Sequence, residues 1–451
     1  MRLFINIRVL IFIFLIVLIT PAYNQTDDSS YRSLFEQGKY REAMNAIEVR
    51  LNDIYSKRAS DKRVPSDFVS IDKTGDEADL IALFRNRKEK GFFIEDNPEL
   101  ADLHLFAGNC SMKLGKKRDS LNHYVQSLRF RRITSERDDE IYYQISQVFK
   151  SMNNEMYFKG YVDSLEQAYS LNSMKYEYSH ELGLALYPTA EKKKAIYHLE
   201  RYLGLSDRTD EDVFLKLGNL YESIGNYLNA EKYYNEYLRL KPDDVNVIFG
   251  VGYIACFRTG NYTLAEFMFE GVLQKASKDD TYRLAKSSEY LGDMSFSNLK
   301  FDKAIQYYNY SAEIHRQVSQ AVIVGEKEKA EIDSRADELK INIINNKDSL
   351  RYDEYKDLLD EYEGLLVEQG EKESQLQLLR YNLKQLCPGK VQWNIAMCYH
   401  KKGDRADGMQ QKKDNYSEAI RYYREAMRED YNTDQAREII LKLQLKIKRG
   451  Y

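Results

Sequence analysis

The sequence predicts an all-α fold, a solenoid of stacked helix-turn-helix units carrying one long helical hairpin insertion. Three observations point there. An apolar residue followed by a second, usually small one recurs as Ala107-Gly108, Ile145-Ser146, Leu182-Gly183, Leu217-Gly218, Val251-Gly252, Leu291-Gly292 and Ile395-Ala396. Counted between their second members, the first six pairs lie 38, 37, 35, 34 and 40 residues apart, the drift that loop insertions give a repeat array. Only 6 prolines interrupt 451 residues, and helix is the one element with sustained periodicity.

At the start, Arg2 and Arg8 precede an apolar run over residues 9–19, followed by Thr20-Pro21-Ala22. This pattern predicts a secretory signal peptide over residues 1–22, cut after Ala22. An uncleaved anchor is the alternative, although the run is short beside the roughly 20 residues a spanning helix needs. No cysteine lies near the cut, which disfavours a bacterial lipid anchor. The chain is therefore expected to be exported, periplasmic or envelope-associated, with no membrane span after cleavage.

Residues 23–98 read as a helical segment holding a partial unit and a polar loop. Gly38-Lys39-Tyr40 followed by Ala43 looks like one turn and second helix. Residues 57–75 are polar and proline-broken and read as loop. Residues 80–84 suit a short helix, and Gly91-Phe92-Phe93-Ile94 a small apolar hook.

Residues 99–315 form the predicted array, and one unit is complete. After Leu217-Gly218 come Tyr221, Gly225-Asn226-Tyr227, Ala230, Tyr234, Tyr237 and Pro242. Gly218 and Ala230 are small so that the two helices can approach closely. The three tyrosines fill the space between helices, with hydroxyls free to reach the rim. Gly225-Asn226 suits a left-handed turn, and Pro242 stops the second helix. This ordered set resembles the tetratricopeptide repeat, a helix pair of about 34 residues. The resemblance implies a right-handed superhelix with the first helices lining a concave groove. The small second-helix residue recurs at Ala195, Ala230, Ala265, Ala304 and Ala419, whereas Phe158 stands in its place in the Ile145 unit.

Residues 316–388 carry no anchor pair and admit two readings, decayed repeats or a long helical hairpin. Tyr355, Leu359, Tyr362 and Leu366 are spaced four, three and four apart, a helix-pairing seam. That favours the hairpin, breaking near Asn345-Asn346-Lys347. Residues 389–451 hold a last unit, in which Tyr416 and Ala419 arrive about eleven residues late. Residues 405–415 are accordingly expected to be an inserted polar loop. Residues 433–448 should be an amphipathic helix capping the array.

The residue inventory speaks against chemistry. Lys and Arg total 67 against 71 Asp and Glu, so no charge excess advertises nucleic acid. The 4 cysteines cannot staple a chain of this size; Cys110, Cys256 and Cys398 read as packed thiols, and a Cys387–Cys398 bridge is not expected. The 6 histidines are scattered without zinc spacing. Residues 108–116 only superficially suggest a phosphate loop, since no Ser or Thr follows Lys116. Asp243-Asp244 and Asp279-Asp280 sit where helix capping explains them. Sequons at Asn24, Asn261, Asn309 and Asn415 match by chance as easily as by purpose. No enzyme activity, cofactor or metal is expected.

The family resemblance implies a protein partner, a peptide or helix held in the concave groove. Its predicted lining is Leu184, Tyr187, Leu215, Asn219, Phe249, Tyr253, Phe257 and Phe296. Asn109 and Asn219 resemble groove asparagines that hold a ligand backbone. Leu105 and Leu215 occupy positions that carry the carboxylate-clamping basic residues in chaperone-binding members, which argues against a chaperone-tail receptor. The leading expectation is a non-catalytic scaffold or adaptor in the envelope, serving a secretion, motility or outer-membrane assembly machine. The alternatives are a glycan or small-ligand receptor using a tyrosine-rich groove, and a regulatory subunit of an envelope enzyme.

Overall fold

The computed structural model describes residues 29–59, 96–131, 138–153, 155–206, 208–346, 349 and 351–449. The predicted signal peptide and the features expected over residues 60–95 lie outside them. Every regular element among the described residues is helical. The chain divides into two units, residues 1–209 and 210–451.

The first unit contains α1 (Ser29–Glu36), α2 (Tyr40–Ala59), α3 (Pro98–Lys113), α4 (Lys117–Arg129), α5 (Asp138–Met152), α6 (Glu155–Leu171), α7 (Tyr176–Leu186) and α8 (Lys192–Ser206). Gly38 turns α1 into α2 with φ +76°, and Ala43 is fully buried behind it, as a partial repeat requires. Residues 57–59, expected as loop, prolong α2 instead, where Lys57 bonds Asp53 one turn back at 2.8 Å. α3 and α4 form the next pair. Its buried His104 stacks on Phe130 and lies 2.8 Å from the Tyr55 hydroxyl and 3.1 Å from the His123 ring. Phe158 departs from its expected place for a steric reason. α6 is rolled so that Phe158 faces out, while Tyr157, Gly160, Tyr161 and Ser164 are buried. Gly160 then meets the Phe149 ring of α5.

The second unit begins with α9 (Glu211–Ser223) and α10 (Tyr227–Leu240). Asp210 caps α9, Gly225 makes the turn at φ +76°, and Asn226 caps α10. A Cβ on Gly218 would stand 2.5 Å from the Tyr234 ring, so the glycine is required by an aromatic side chain of its own repeat. The same fit joins Gly108 to Tyr124 at 2.6 Å and Gly292 to Tyr308 at 2.5 Å. α11 (Val245–Ile254) runs on into a π-turn, Ala255–Thr259, before α12 (Tyr262–Lys275). α13 (Thr281–Ser297) pairs with α14 (Phe301–Asn346).

The turn between α13 and α14 places Leu299 at φ +62°, where the corresponding position in the Gly225 repeat is a glycine. Its side chain is exposed and the strain has no packing return. Leu299→Gly is expected to stabilise the second unit by about 1 kcal/mol, read as a higher urea midpoint. An unchanged or lower midpoint would contradict this.

α14 is 46 residues long and is both the second helix of its repeat and the outgoing arm of the hairpin. It ends at Asn346, and α15 (Tyr352–Gln385) returns beside it. The seam differs by one residue from the predicted set: Leu365 is buried with Ile332 and Ala336, and Leu366 points out. Where the hairpin meets the array, Glu289 is buried against Lys286 at 3.1 Å, Ser311 at 3.4 Å and His315 at 3.6 Å.

α16 (Pro388–Arg405) and α17 (Met409–Arg428) form the last pair, and α18 (Thr433–Arg449) packs behind α17. Residues 405–415 are not a loop. The extra residues lengthen both helices, and the connection remains residues 406–408. Antiparallel register survives because Gly403 meets the Tyr416 ring at 2.5 Å, the same small-on-aromatic contact moved outward. All four cysteines are free.

Candidate functional site

The first helices of the second unit gather a cavity and an aromatic patch. The cavity, ≈ 390 Å³, is lined by Asn219, Glu222 and Ser223 of α9, Tyr227 of α10, and Tyr253, Ile254 and Arg258 from α11 and its π-turn. Tyr234 ties its floor together, with its hydroxyl 2.8 Å from Asn219 Oδ1 and 2.6 Å from Glu222 Oε2. Asn109 likewise accepts from Tyr124 at 2.7 Å, and Asp293 from Tyr308 at 2.5 Å. The groove asparagines are thus held by tyrosines of their own repeats. Above them the Arg258 guanidinium stacks on Tyr227 at 5.2 Å.

Beside the cavity, Tyr253 and Phe257 rings lie 4.8 Å apart, and Tyr290 of α13 is 5.0 Å from Phe257. Phe249 and Phe269 back this cluster at 6.4 Å and 5.1 Å from Tyr290. Burial, then the neighbouring Tyr282 and Glu289, push the Tyr290 phenol upward. Tyr253 is 39% exposed and Phe257 49%. The π-turn carries Phe257 and Arg258. Gly218 and Ala230 are twelve residues apart, whereas Gly252 and Ala265 are thirteen apart, and the widened turn absorbs the extra residue.

The predicted lining residues therefore fall into separate places. Phe249, Tyr253 and Phe257 share one cluster, and Asn219 borders the adjoining cavity. Leu215 is half-buried on α9. Phe296 is half-buried against Phe301 at 5.5 Å, in the core between repeats. Leu184 and Tyr187 are half-buried in the first unit. Glu222, Ser223, Tyr227, Arg258 and Tyr290 were not predicted. The countable extra residue after Gly252 was the available signal for Arg258.

The buried thiols are held in their neutral form. Burial pushes the Cys110 thiol up to about 11, and burial with nearby Asp293 pushes Cys398 up to about 12; such thiols are poor nucleophiles. Among the described residues no cluster of His, Cys, Asp or Glu could hold a metal ion, and no helix is long and apolar enough to cross a membrane.

The tetratricopeptide-repeat family model matches residues 211–244, the α9–α10 pair with its flanks. No curated protein matches the chain. Among solved structures, MamA is similar at 21% identity over 41% of this chain and 96% of that one, with a TM-score of 0.32. The C-terminal part of a TPR repeat-containing protein from Cytophaga hutchinsonii matches at 15% identity over 52% and 90%, TM-score 0.34. The pilF protein of Pseudomonas aeruginosa matches at 17% identity over 47% and 89%, TM-score 0.28. Residues 211–244 thus match one tetratricopeptide repeat outright, and the same small-on-aromatic helix pair recurs in both units.

Proposed function

We propose that the chain is a non-catalytic scaffold that holds a protein partner on the first helices of its second unit. The observation that carries this reading is the half-exposed Tyr253–Phe257 pair beside the Arg258 cavity. Rigid aromatic rings with a polar rim suit an apolar side chain of an extended or helical segment. The glycan reading draws less support, because the Tyr124, Tyr234, Tyr237 and Tyr308 hydroxyls all reach acceptors within their own repeats or the adjoining turn. We also place this scaffold in the cell envelope, on the leader-like residues 1–22, with an envelope machine as its setting.

One experiment tests both parts. The full chain and a Tyr253→Ala/Phe257→Ala variant are crosslinked in cells, and partners are identified from envelope and cytoplasmic fractions. A partner captured from the envelope by the full chain should fall at least tenfold with the variant, as losing about 1.4 kcal/mol implies. Equal capture by both would remove the aromatic site, and capture confined to the cytoplasm would remove the envelope assignment.

A further inference from the structure

We propose that this chain associates with a second copy of itself head to tail, the outer face of α18 seating on the open flank of α15. Both surfaces are unpartnered and their charges are opposite. On α15, Glu363, Val367, Glu371, Ser374, Leu378 and Tyr381 recur at spacings of three and four, a stripe along one side of the helix. Val367 and Leu378 are each 62% exposed, although the opposite side of α15 is already committed to α14. A Cβ added at Gly364 or Gly370, beside the stripe, would meet nothing within 4 Å. A helix can therefore approach this flank closely.

α15 carries nine acidic against four basic residues. Asp353, Asp357, Asp360, Glu361, Glu363, Glu368 and Glu371 make no salt bridge among the described residues. α18 carries five basic residues against two acidic. Its outer face presents Arg437, Leu441, Leu445 and Lys448 at helical spacing, with Leu441 61% and Leu445 50% exposed. Lys448 and Arg449 make no salt bridge among the described residues. Two leucines among cations thus match a stripe whose apolar residues continue from an acidic first half, in which Glu363, Glu368 and Glu371 surround Val367. The lengths agree as well: the 17 residues of α18 span about 25 Å and the stripe from 363 to 381 about 27 Å.

The two faces are not paired within one chain. Lys446 of α18 bonds Asp404 at 2.9 Å, and Lys402 on that same helix pairs with Asp302 at the start of α14. Val367 and Leu378 of α15 and Leu441 and Leu445 of α18 nevertheless all remain exposed within the chain. The complementary faces are thus left open on each chain and are free to join between copies. Because the two faces differ, the contact is heterologous, and an open assembly has one of each free at its ends.

Sedimentation velocity on the full chain tests this. Assemblies larger than a monomer should grow with concentration in low salt and recede as salt screens the charges. Leu441→Glu/Leu445→Glu removes one face and Val367→Lys/Leu378→Lys the other, all at exposed positions. Each variant alone should sediment as a monomer. Mixed in equal amounts, the two should form a dimer that grows no further, since each retains one intact face. A wild-type chain that stays monomeric in low salt overturns the proposal. So does either variant that still self-associates, or a mixture that makes no dimer.

Discussion

Replacing Glu289 by alanine is expected to lower the unfolding free energy of the second unit by about 3 kcal/mol, the scale of a buried ion pair stripped of one partner. The carboxylate is 2% exposed and serves Lys286, Ser311 and His315 together. Burial pushes its pKa up, but the His315 contact and the Lys286 ammonium outweigh that and hold it below the ordinary glutamate range. Alanine would leave the Lys286 ammonium without its anion and open a hole between α13 and α14. Glu289→Gln preserves the shape and one acceptor, and should cost less than the alanine variant. Urea unfolding followed by Trp393 fluorescence reads the second unit directly, because it holds the chain's 1 tryptophan. A loss under about 1 kcal/mol for alanine, or glutamine worse than alanine, would show that Glu289 does not anchor the unit.

Acid should weaken the first unit through His104. Burial, with His123 beside it, holds this imidazole down to about 3 from an ordinary 6.5. The folded chain therefore stays neutral there while the unfolded chain takes up a proton below pH 6.5. Stability is fully present above pH 6.5 and is lost as pH falls towards 3, by about 1.4 kcal/mol per pH unit. His198, held down to about 4 by burial and then Arg201 and Lys194, adds a loss of the same sign over a shorter window. His104→Phe should remove one proton's worth of slope between pH 6 and 4, whatever it does to absolute stability. Hydrogen exchange on peptides from α3 and α4 across that range measures the slope. If the variant and the parent chain lose protection in parallel, the histidine is not responsible.

The elements easiest to read from sequence were those whose packing demands one residue type at one place. Gly218 facing Tyr234 and Gly225 at positive φ leave few substitutes, so the α9–α10 pair was legible almost atom by atom. The hairpin could be read from a missing anchor pair and a helical seam. Its seam slipped by one residue because Leu365 and Leu366 are adjacent, and composition cannot say which one turns inward. Residues 405–415 read as loop because a helix pair standing clear of the core needs few apolar residues, and polar exposed helix resembles polar loop. The telling contact there, Gly403 on Tyr416, spans thirteen residues and looks like nothing until the helices are folded back. The aromatic patch was half legible. Tyr253 and Phe257 stood at groove positions, whereas Phe296 at a similar position was claimed by Phe301 of the next helix. Repeat register says which side of a helix faces inward, but the neighbour's side chains decide what remains open.

α14 has a mechanical consequence. It runs as one helix from Phe301 to Asn346, without proline, and its single glycine, Gly325, is clamped by Leu376. The first sixteen or so residues are bolted into the array through contacts such as Tyr308 to Asp293. The remaining thirty form an arm of about 45 Å. With no hinge between the two parts, the helix is a lever with its short end inside the repeat. A load on the hairpin tip is delivered as torque to the Tyr308–Asp293 and Glu289–His315 contacts. A protein that grips the tip would therefore be pulling on the repeat core.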